Sequence, residues 1–161
     1  MKASYRTTAL MVVLVMSMIG GFVGAQSGHL MVAPADLKWE DGPPTIPPGA
    51  KIALMYGDPR KAEPFAYRLK FPADYKVMPH WHPVDAQVTV LSGTLYVGIG
   101  DEFEAAKGQA LPAGSFLLMP AKTHHFEYTK EETILQNNAI GPFGITYLNP
   151  ADDPSKKTGQ R

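Results

Sequence analysis

The chain has 161 residues, and its 15 Lys and Arg balance its 15 Asp and Glu. This length suits one domain with a real core and is too short for two comfortable ones. No charged run stands out, so the charge pattern gives no reason to expect a nucleic-acid partner. The chain has no cysteine, which excludes disulfides, thiol nucleophiles and cysteine-based zinc sites; a metal site must use histidine, carboxylate or amide ligands.

The N-terminus has the pattern of a signal peptide. Lys2 and Arg6 precede an apolar run over residues 9–23, which is followed by Gly24 and Ala25. The run is shorter than a bilayer span requires, and its end fits a cleavage site. We therefore expect residues 1–25 to be removed and the protein to be exported, either periplasmic or secreted, with no membrane association after cleavage. An uncleaved N-terminal membrane anchor is the alternative.

Residues 26–49 form a proline-rich segment without periodicity. We predict an irregular N-terminal arm that lies on the body of the domain. Leu37 and Trp39 are the expected anchors, because their apolar area favours burial.

Residues 50–150 form a series of short alternating segments separated by Gly, Pro and Asp. This pattern is typical of an all-β sandwich or barrel, so we predict an all-β domain with one barrel. The predicted strands are Lys51–Tyr56, Phe65–Phe71, Tyr75–Met78, Gln87–Leu91, Thr94–Ile99, Ser115–Met119, His125–Thr129, Thr133–Asn138 and Ile145–Leu148.

Three further predictions concern the segments between and after the strands. Gly93 lies at the turn of a tight hairpin, where a positive φ costs glycine little. One helical turn is predicted over Asp101–Lys107, with Asp101 as its cap. Residues 151–161 are polar and aperiodic, which predicts a flexible tail.

Four of the five histidines occur in two pairs, His80 with His82 and His124 with His125. Residues two apart on a strand point to the same face, so His80 and His82 can both point into a barrel and bind one metal ion. Prolines at positions 79 and 83 flank this pair and favour an extended backbone. If His125 faces inward, His124 faces the other way.

Two separated motifs extend this pattern. The first comprises His80, His82 and Gly93, and the second comprises Gly114, Pro120 and His125. In spacing and order they resemble the two motifs of the cupin family, and the resemblance covers residues 51–148. It implies a single cupin barrel of the jelly-roll type, with His80, His82 and His125 as metal ligands.

The chain departs from the cupin pattern at the position of the family's metal-binding Glu, which Ala86 occupies. Gln87 becomes a possible ligand only if a bulge at residues 83–85 shifts the register. Asp74 and Lys122 stand where the family has glycine, which affects turn geometry more than metal binding. Thr129 replaces the family's Asn.

The resemblance implies one divalent transition metal, and histidine ligands suit Fe, Mn, Zn, Ni and Cu alike, with Fe weakly favoured. Three-histidine cupins occur among Fe(II) dioxygenases, so the expected function is that of a metal-dependent, dioxygenase-like oxidoreductase acting on a small molecule. The alternative is a non-catalytic metal- or ligand-binding module whose site is degraded by Ala86. Family analogy also allows a homodimer.

One carboxylate and several apolar side chains complete the predicted site. Glu127 shares a strand face with His125 and is the candidate catalytic carboxylate, which either orients a ligand or acts as a base. Alternation also indicates six further residues for the cavity or core: Tyr67, Tyr96, Phe116, Met119, Phe126 and Tyr147.

Overall fold

Alternating buried and exposed side chains build eleven strands in the computed structural model, which describes residues 28–157. The predicted signal peptide and residues 158–161 lie outside this range. The strands are β1 (Glu40–Asp41), β2 (Lys51–Tyr56), β3 (Pro64–Phe71), β4 (Lys76–Trp81), β5 (Ala86–Ser92), β6 (Thr94–Ile99), β7 (Gln109–Pro112), β8 (Phe116–Met119), β9 (His125–Thr129), β10 (Thr133–Ile140) and β11 (Thr146–Tyr147).

The strands form two antiparallel sheets. The long sheet has the order β1-β2-β3-β10-β5-β8, and the short sheet has the order β11-β4-β9-β6-β7. Apolar side chains from both sheets, including Val77, Val88, Val90, Leu95 and Leu135, form one core between them. The predicted all-β jelly-roll fold is confirmed, although the structure has two facing sheets rather than one strictly closed barrel.

The contacts within the chain separate residues 1–31 from residues 32–161. All eleven strands belong to the second of these units. Among residues 28–157, no helix has the length and apolarity needed to cross a membrane.

The sequence-based prediction missed two strands, ended β10 two residues too early and ended a further strand three residues too early. β1 is a two-residue edge strand, and β7 is short and ends in proline. The further strand, β4, continues through Pro79 to Trp81 instead of ending at Met78. Proline lacks an N–H group and is tolerated at a bulge, and the register between β4 and β9 shifts between Val77 and His80.

Left-handed backbone occurs at three turns that the sequence singled out. Gly93 has φ +70° in the β5–β6 hairpin, as predicted, and a Cβ there would lie 2.4 Å from the carbonyl oxygen of Glu132. Asp74 has φ 59° and Lys122 has φ 61°. These two turns therefore keep the conformation that favours glycine, although neither residue is glycine.

Residues 32–49 are largely irregular and lie against the strands. Trp39 is half-buried, and the Lys70 ammonium lies 4.8 Å from the centre of its ring. The Tyr147 hydroxyl donates a hydrogen bond to the Thr45 carbonyl at 2.9 Å, and the Tyr75 hydroxyl donates one to the Pro47 carbonyl. These contacts hold the arm over one end of the core.

One helical expectation needs correction, and the structure describes the first part of the predicted tail. The turn predicted over Asp101–Lys107 is only a 3-10 turn at Ala105–Lys107, because the Asp101 carboxylate binds His124 instead of capping a helix. The segment predicted as a flexible tail contains a 3-10 turn at Pro150–Asp152 and a helical turn at Pro154–Lys157. The Asn149 side chain stabilises the first of these by accepting a hydrogen bond from the Ala151 N–H at 3.0 Å.

Candidate metal centre

The bulge in β4 is what turns His80 inward. Val77 pairs with Glu127 and His80 pairs with His125, so three residues of β4 span two residues of β9. Without the extra residue, Val77 and His80 would point to opposite faces of the sheet. Both are buried with 2% and 1% exposure, and both line the interior.

His82 follows the end of β4 and is positioned by two loops. Its carbonyl accepts a hydrogen bond from the Lys122 N–H at 2.8 Å. Its ring stacks on Phe143, with 4.6 Å between the ring centres, and its Nδ1 lies 2.7 Å from the Gly144 carbonyl oxygen. The left-handed turn at Lys122 and the loop before β11 therefore fix both the backbone and the ring of His82.

The structure brings the three predicted histidine ligands together. The ring centres of His80 and His125 are 4.1 Å apart, and that of His82 lies 5.0 Å from His80 and 5.2 Å from His125. One nitrogen from each ring belongs to a group in which all atoms lie within 4.8 Å of one another. This separation permits three ligands to bind one ion.

Each of the three rings is oriented by a backbone carbonyl. Nδ1 lies 2.8 Å from the Met78 oxygen in His80, 2.7 Å from the Gly144 oxygen in His82 and 2.9 Å from the Thr123 oxygen in His125. A carbonyl oxygen can only accept, so Nδ1 carries the hydrogen and Nε2 of the neutral ring keeps its lone pair. The same arrangement orients histidine ligands in metalloproteins generally.

Burial keeps these imidazoles neutral. It lowers the pKa of His80 well below its usual range and the pKa of His125 to about 4. Burial also lowers the pKa of His82. Near neutral pH all three rings are therefore in the unprotonated form that binds a metal.

Glu127 lies beside the histidines on β9. One of its carboxylate oxygens is 4.0 Å from Nε2 of His125, and its side chain is only 14% exposed. Burial raises the pKa of this carboxyl to about 7. No hydrogen bond to Glu127 is present among the described residues, so the carboxyl group is free to interact with a ligand in the cavity.

Gln87 and His124 lie away from this group. β5 and β8 pair without a register shift at this position, Gln87 opposite Leu118 and Ala86 opposite Met119. Ala86 therefore faces the interior while Gln87 is exposed on the outer face. The prediction of Gln87 as a possible ligand is wrong, because its side chain points away from the histidines. His124 is on the surface and pairs with Asp101 at 2.7 Å.

A cavity of about 290 Å³ lies between the sheets and contains the histidine group. The short sheet contributes His80, His125, Val77 and Glu127 to its wall. The arm also lines the cavity, through Pro43, Thr45 and Ile46. Arg60 also borders the cavity, with its guanidinium bound to the Asp58 carboxylate at 2.9 Å. A cavity of this size and lining suits a small, mostly apolar molecule.

The long sheet contributes two polar residues to the cavity, Tyr67 and Asn137. The sequence analysis did not predict Asn137 as a cavity residue, although it lies two residues after the inward-facing Leu135 on a predicted strand. Tyr67 and Met119 line the cavity as predicted. Phe116 is wrong as a cavity residue, because alternation with Leu117 leaves its side chain 62% exposed on the outer face.

Comparison with known proteins shows which family the chain belongs to. Residues 31–157 match the family described as a domain of unknown function, DUF4437. The chain belongs to the DUF4437 family. No curated protein sequence matches this DUF4437 chain.

Solved structures similar to this DUF4437 protein are cupin-type proteins, which confirms the cupin fold. They include the polyketide cyclase RemF from Streptomyces resistomycificus, with 15% identity, TM-score 0.63, and 83% and 94% of the two chains covered. A putative acetylacetone dioxygenase from Methylibium petroleiphilum has 17% identity, TM-score 0.60, and coverage of 79% and 85%. An RmlC-like cupin from Shewanella frigidimarina has 19% identity, TM-score 0.56, and coverage of 72% and 94%.

The donor set of this DUF4437 protein fits a divalent transition metal. Three neutral imidazoles suit Fe, Mn, Zn, Ni or Cu, whereas Mg²⁺ and Ca²⁺ prefer oxygen ligands. Because the histidines contribute no charge, a bound dication would keep its full charge and have open positions for water or an anionic ligand.

Proposed function

We propose that this DUF4437 protein is a metal-dependent oxidoreductase of the dioxygenase type, acting on a small, largely apolar molecule. His80, His82 and His125 hold one divalent transition metal, with iron as the favoured ion. The observation that carries the proposal is the set of three Nδ1 hydrogen bonds to backbone carbonyls. They orient the rings so that each Nε2 is available as a ligand before any metal arrives.

The chain's own residues provide binding, orientation and exclusion of water. Iron held by His80, His82 and His125 would supply the redox chemistry. The cavity around the histidines is lined by Val88, Leu117 and Phe143. These apolar side chains limit the entry of water. The arm residues Thr45 and Ile46 form part of the same lining, so the arm contributes to the shape of the binding site.

Glu127 is the proposed proton acceptor. Its carboxylate oxygen lies 4.0 Å from Nε2 of His125, so a ligand bound at the histidines would lie next to it. A carboxyl group with a pKa of about 7 can take up a proton near neutral pH, which suits deprotonation of an enol or a phenol as it binds. Similarity to a putative acetylacetone dioxygenase supports the reaction class by analogy of fold.

The second candidate function is non-catalytic binding of a metal or small molecule. It is favoured by Ala86, which is buried with 2% exposure at the position of the missing carboxylate. A site without that ligand binds metal more weakly.

Under both candidate functions we also propose that the protein is exported, as the N-terminal sequence pattern indicates. The possible homodimer stays a prediction.

Oxygen uptake separates the two candidates. The purified protein is reconstituted with Fe²⁺ without air, its bound iron is measured, and oxygen consumption is followed with diketones, thiols and phenols. The enzyme proposal predicts uptake that requires both iron and one class of substrate and that is lost in His125→Ala but kept in His124→Ala. Iron-loaded protein that consumes no oxygen with any of these compounds would contradict catalysis and leave the binding function.

A further inference from the structure

A buried polar pair lies on the wall formed by the long sheet. Tyr67 on β3 is directly opposite Asn137 on β10 in the antiparallel register. The two residues are 7% and 4% exposed, and both line the cavity that contains the histidines. Polar groups in an apolar wall cost stability unless they have partners, so the hydrogen bonds of this pair are informative.

The Tyr67–Asn137 pair does not use all of its hydrogen-bonding atoms. The Asn137 side-chain N–H donates a hydrogen bond to the Tyr67 hydroxyl oxygen at 2.7 Å. Among the described residues, Oδ1 of Asn137 has no partner, and the Tyr67 hydroxyl accepts this one hydrogen bond and donates none. A hydroxyl group that accepts one hydrogen bond still has its own hydrogen to donate. The pair therefore offers an oriented donor without a protein acceptor.

Phe143 connects this donor to the histidine group. Its ring stacks on His82 with 4.6 Å between centres and meets Tyr67 edge-on at 6.2 Å. Tyr67 is thus separated from a proposed metal ligand by about the width of one aromatic ring. A small molecule that lies along the Phe143 ring can contact both the Tyr67 hydroxyl group and a metal bound at the histidines.

We propose that Tyr67, positioned by Asn137, donates a hydrogen bond to a ligand oxygen on the side opposite the metal. The inference rests on the proposed function, because the histidine-bound metal fixes the other end of the ligand. It assigns a ligand class: a small aromatic or enolic ring with two neighbouring oxygens that chelate the metal and a third oxygen across the ring. Tyr67 is the binding residue and Asn137 is its positioning residue.

A matched pair of ligands tests this assignment. Salicylate and gentisate chelate a metal through the same carboxylate and hydroxyl, and gentisate adds one hydroxyl across the ring from the chelating hydroxyl. The protein is loaded with Zn²⁺, which excludes redox turnover, and each acid is titrated by calorimetry. We expect gentisate to bind roughly three- to tenfold more tightly than salicylate, the effect of one buried hydrogen bond.

Tyr67→Phe removes only the hydroxyl and is expected to abolish this preference by weakening gentisate while salicylate affinity stays unchanged. Asn137→Leu should reduce the preference in the same direction. Tyr128→Phe is the matched control, because Tyr128 is also 7% exposed but donates its hydroxyl to the Ala105 carbonyl at 2.8 Å. A change in the ratio of the two affinities would not arise from a merely structural role of Tyr67.

The outcomes separate this inference from the proposed function. An unchanged preference for gentisate in Tyr67→Phe would overturn the role of Tyr67. Zinc-loaded protein that binds neither acid would overturn the ligand class, while the metal site itself would stand. Failure of the wild-type protein to bind Zn²⁺ would contradict the proposed function as well.

Discussion

The two walls of the cavity differ in the kind of side chain they present. The short sheet supplies His80, His125 and Glu127, whereas the long sheet supplies mostly apolar side chains and the Tyr67–Asn137 pair. The histidine rings are anchored to backbone carbonyls, so their orientation depends on main-chain geometry rather than on the opposite wall. The comparison indicates that metal binding and cavity shape are separable properties, and substitutions on the two walls test that separation.

Leu135→Ala tests the apolar wall and has the largest expected effect on stability. Leu135 is 3% exposed in the middle of β10, so we expect the free energy of unfolding to fall by about 2–4 kcal/mol. Zn²⁺ affinity should be unchanged, because no histidine contact is lost. Denaturant unfolding of the metal-free protein and zinc titration of the folded protein measure the two effects.

Ile140→Ala, on the same strand but 63% exposed, is the control for Leu135→Ala and should change neither quantity. A marked loss of zinc affinity in Leu135→Ala would show that the two walls are coupled.

Ala86→Glu adds the carboxylate that the long sheet lacks. Ala86 lines the cavity, so the new side chain points toward the histidines, and we expect metal affinity to rise roughly tenfold to a hundredfold. Gln87→Glu is the control, because the neighbouring side chain is exposed on the outer face and should leave affinity unchanged. Equal affinities in the two variants would contradict the placement of Ala86.

Glu127→Gln tests the charge on the short sheet in the metal-free protein. The folded-state pKa of Glu127 is raised to about 7 from an ordinary value of 4.5. The unfolded chain therefore loses this proton at lower pH than the folded chain does, and the wild-type protein loses stability as pH rises between these values.

We expect Glu127→Gln to be more stable than wild type by roughly 3 kcal/mol at pH 8, since one pKa unit is worth about 1.4 kcal/mol. The difference should vanish near pH 4, where the carboxyl group is protonated in both states. Thermal unfolding at the two pH values provides the measurement, and a difference that does not depend on pH would be evidence against a buried, unpaired carboxylate.

Lys122→Gly has the smallest expected effect. Lys122 has φ 61°, and relief of this strain is partly offset by the greater freedom of glycine in the unfolded chain, which leaves a gain of about 0.5 kcal/mol in stability. Chemical denaturation measures it. The neighbouring Ala121→Gly should instead destabilise the protein, and the same gain in both variants would argue against strain at Lys122.

Much of the fold could be predicted from local patterns. Thr94–Ile99 and His125–Thr129 have the predicted bounds because alternating apolar residues and flanking turn residues define them. β7 was missed because Gln109–Pro112 has little alternation, and pairing with β6 is what makes it a strand. β4 was predicted too short because proline usually ends a strand, whereas here Pro79 lies in the bulged segment.

The candidate site also has one part that could be predicted from local patterns and another part that could not. His80 and His82 could be found because their spacing is local, and His125 could be found because it belongs to the second motif of the family pattern. The Tyr67–Asn137 pair could not, because the residues are 70 positions apart and only strand pairing brings them together. The sequence also gave no sign of the carbonyl partners of the histidines, since Met78, Thr123 and Gly144 contribute backbone atoms that any residue could provide.

The bound metal content tests the central claim most directly. The untagged protein is purified, reconstituted with Fe²⁺ or Zn²⁺, freed of loosely bound ions and measured by elemental mass spectrometry, beside the variant with both His80→Ala and His82→Ala and the surface control His124→Ala. We predict close to one ion per chain in the wild type and the control and none in the double variant. Wild-type protein that stays without metal after reconstitution, or a double variant that retains it, would contradict a three-histidine metal centre.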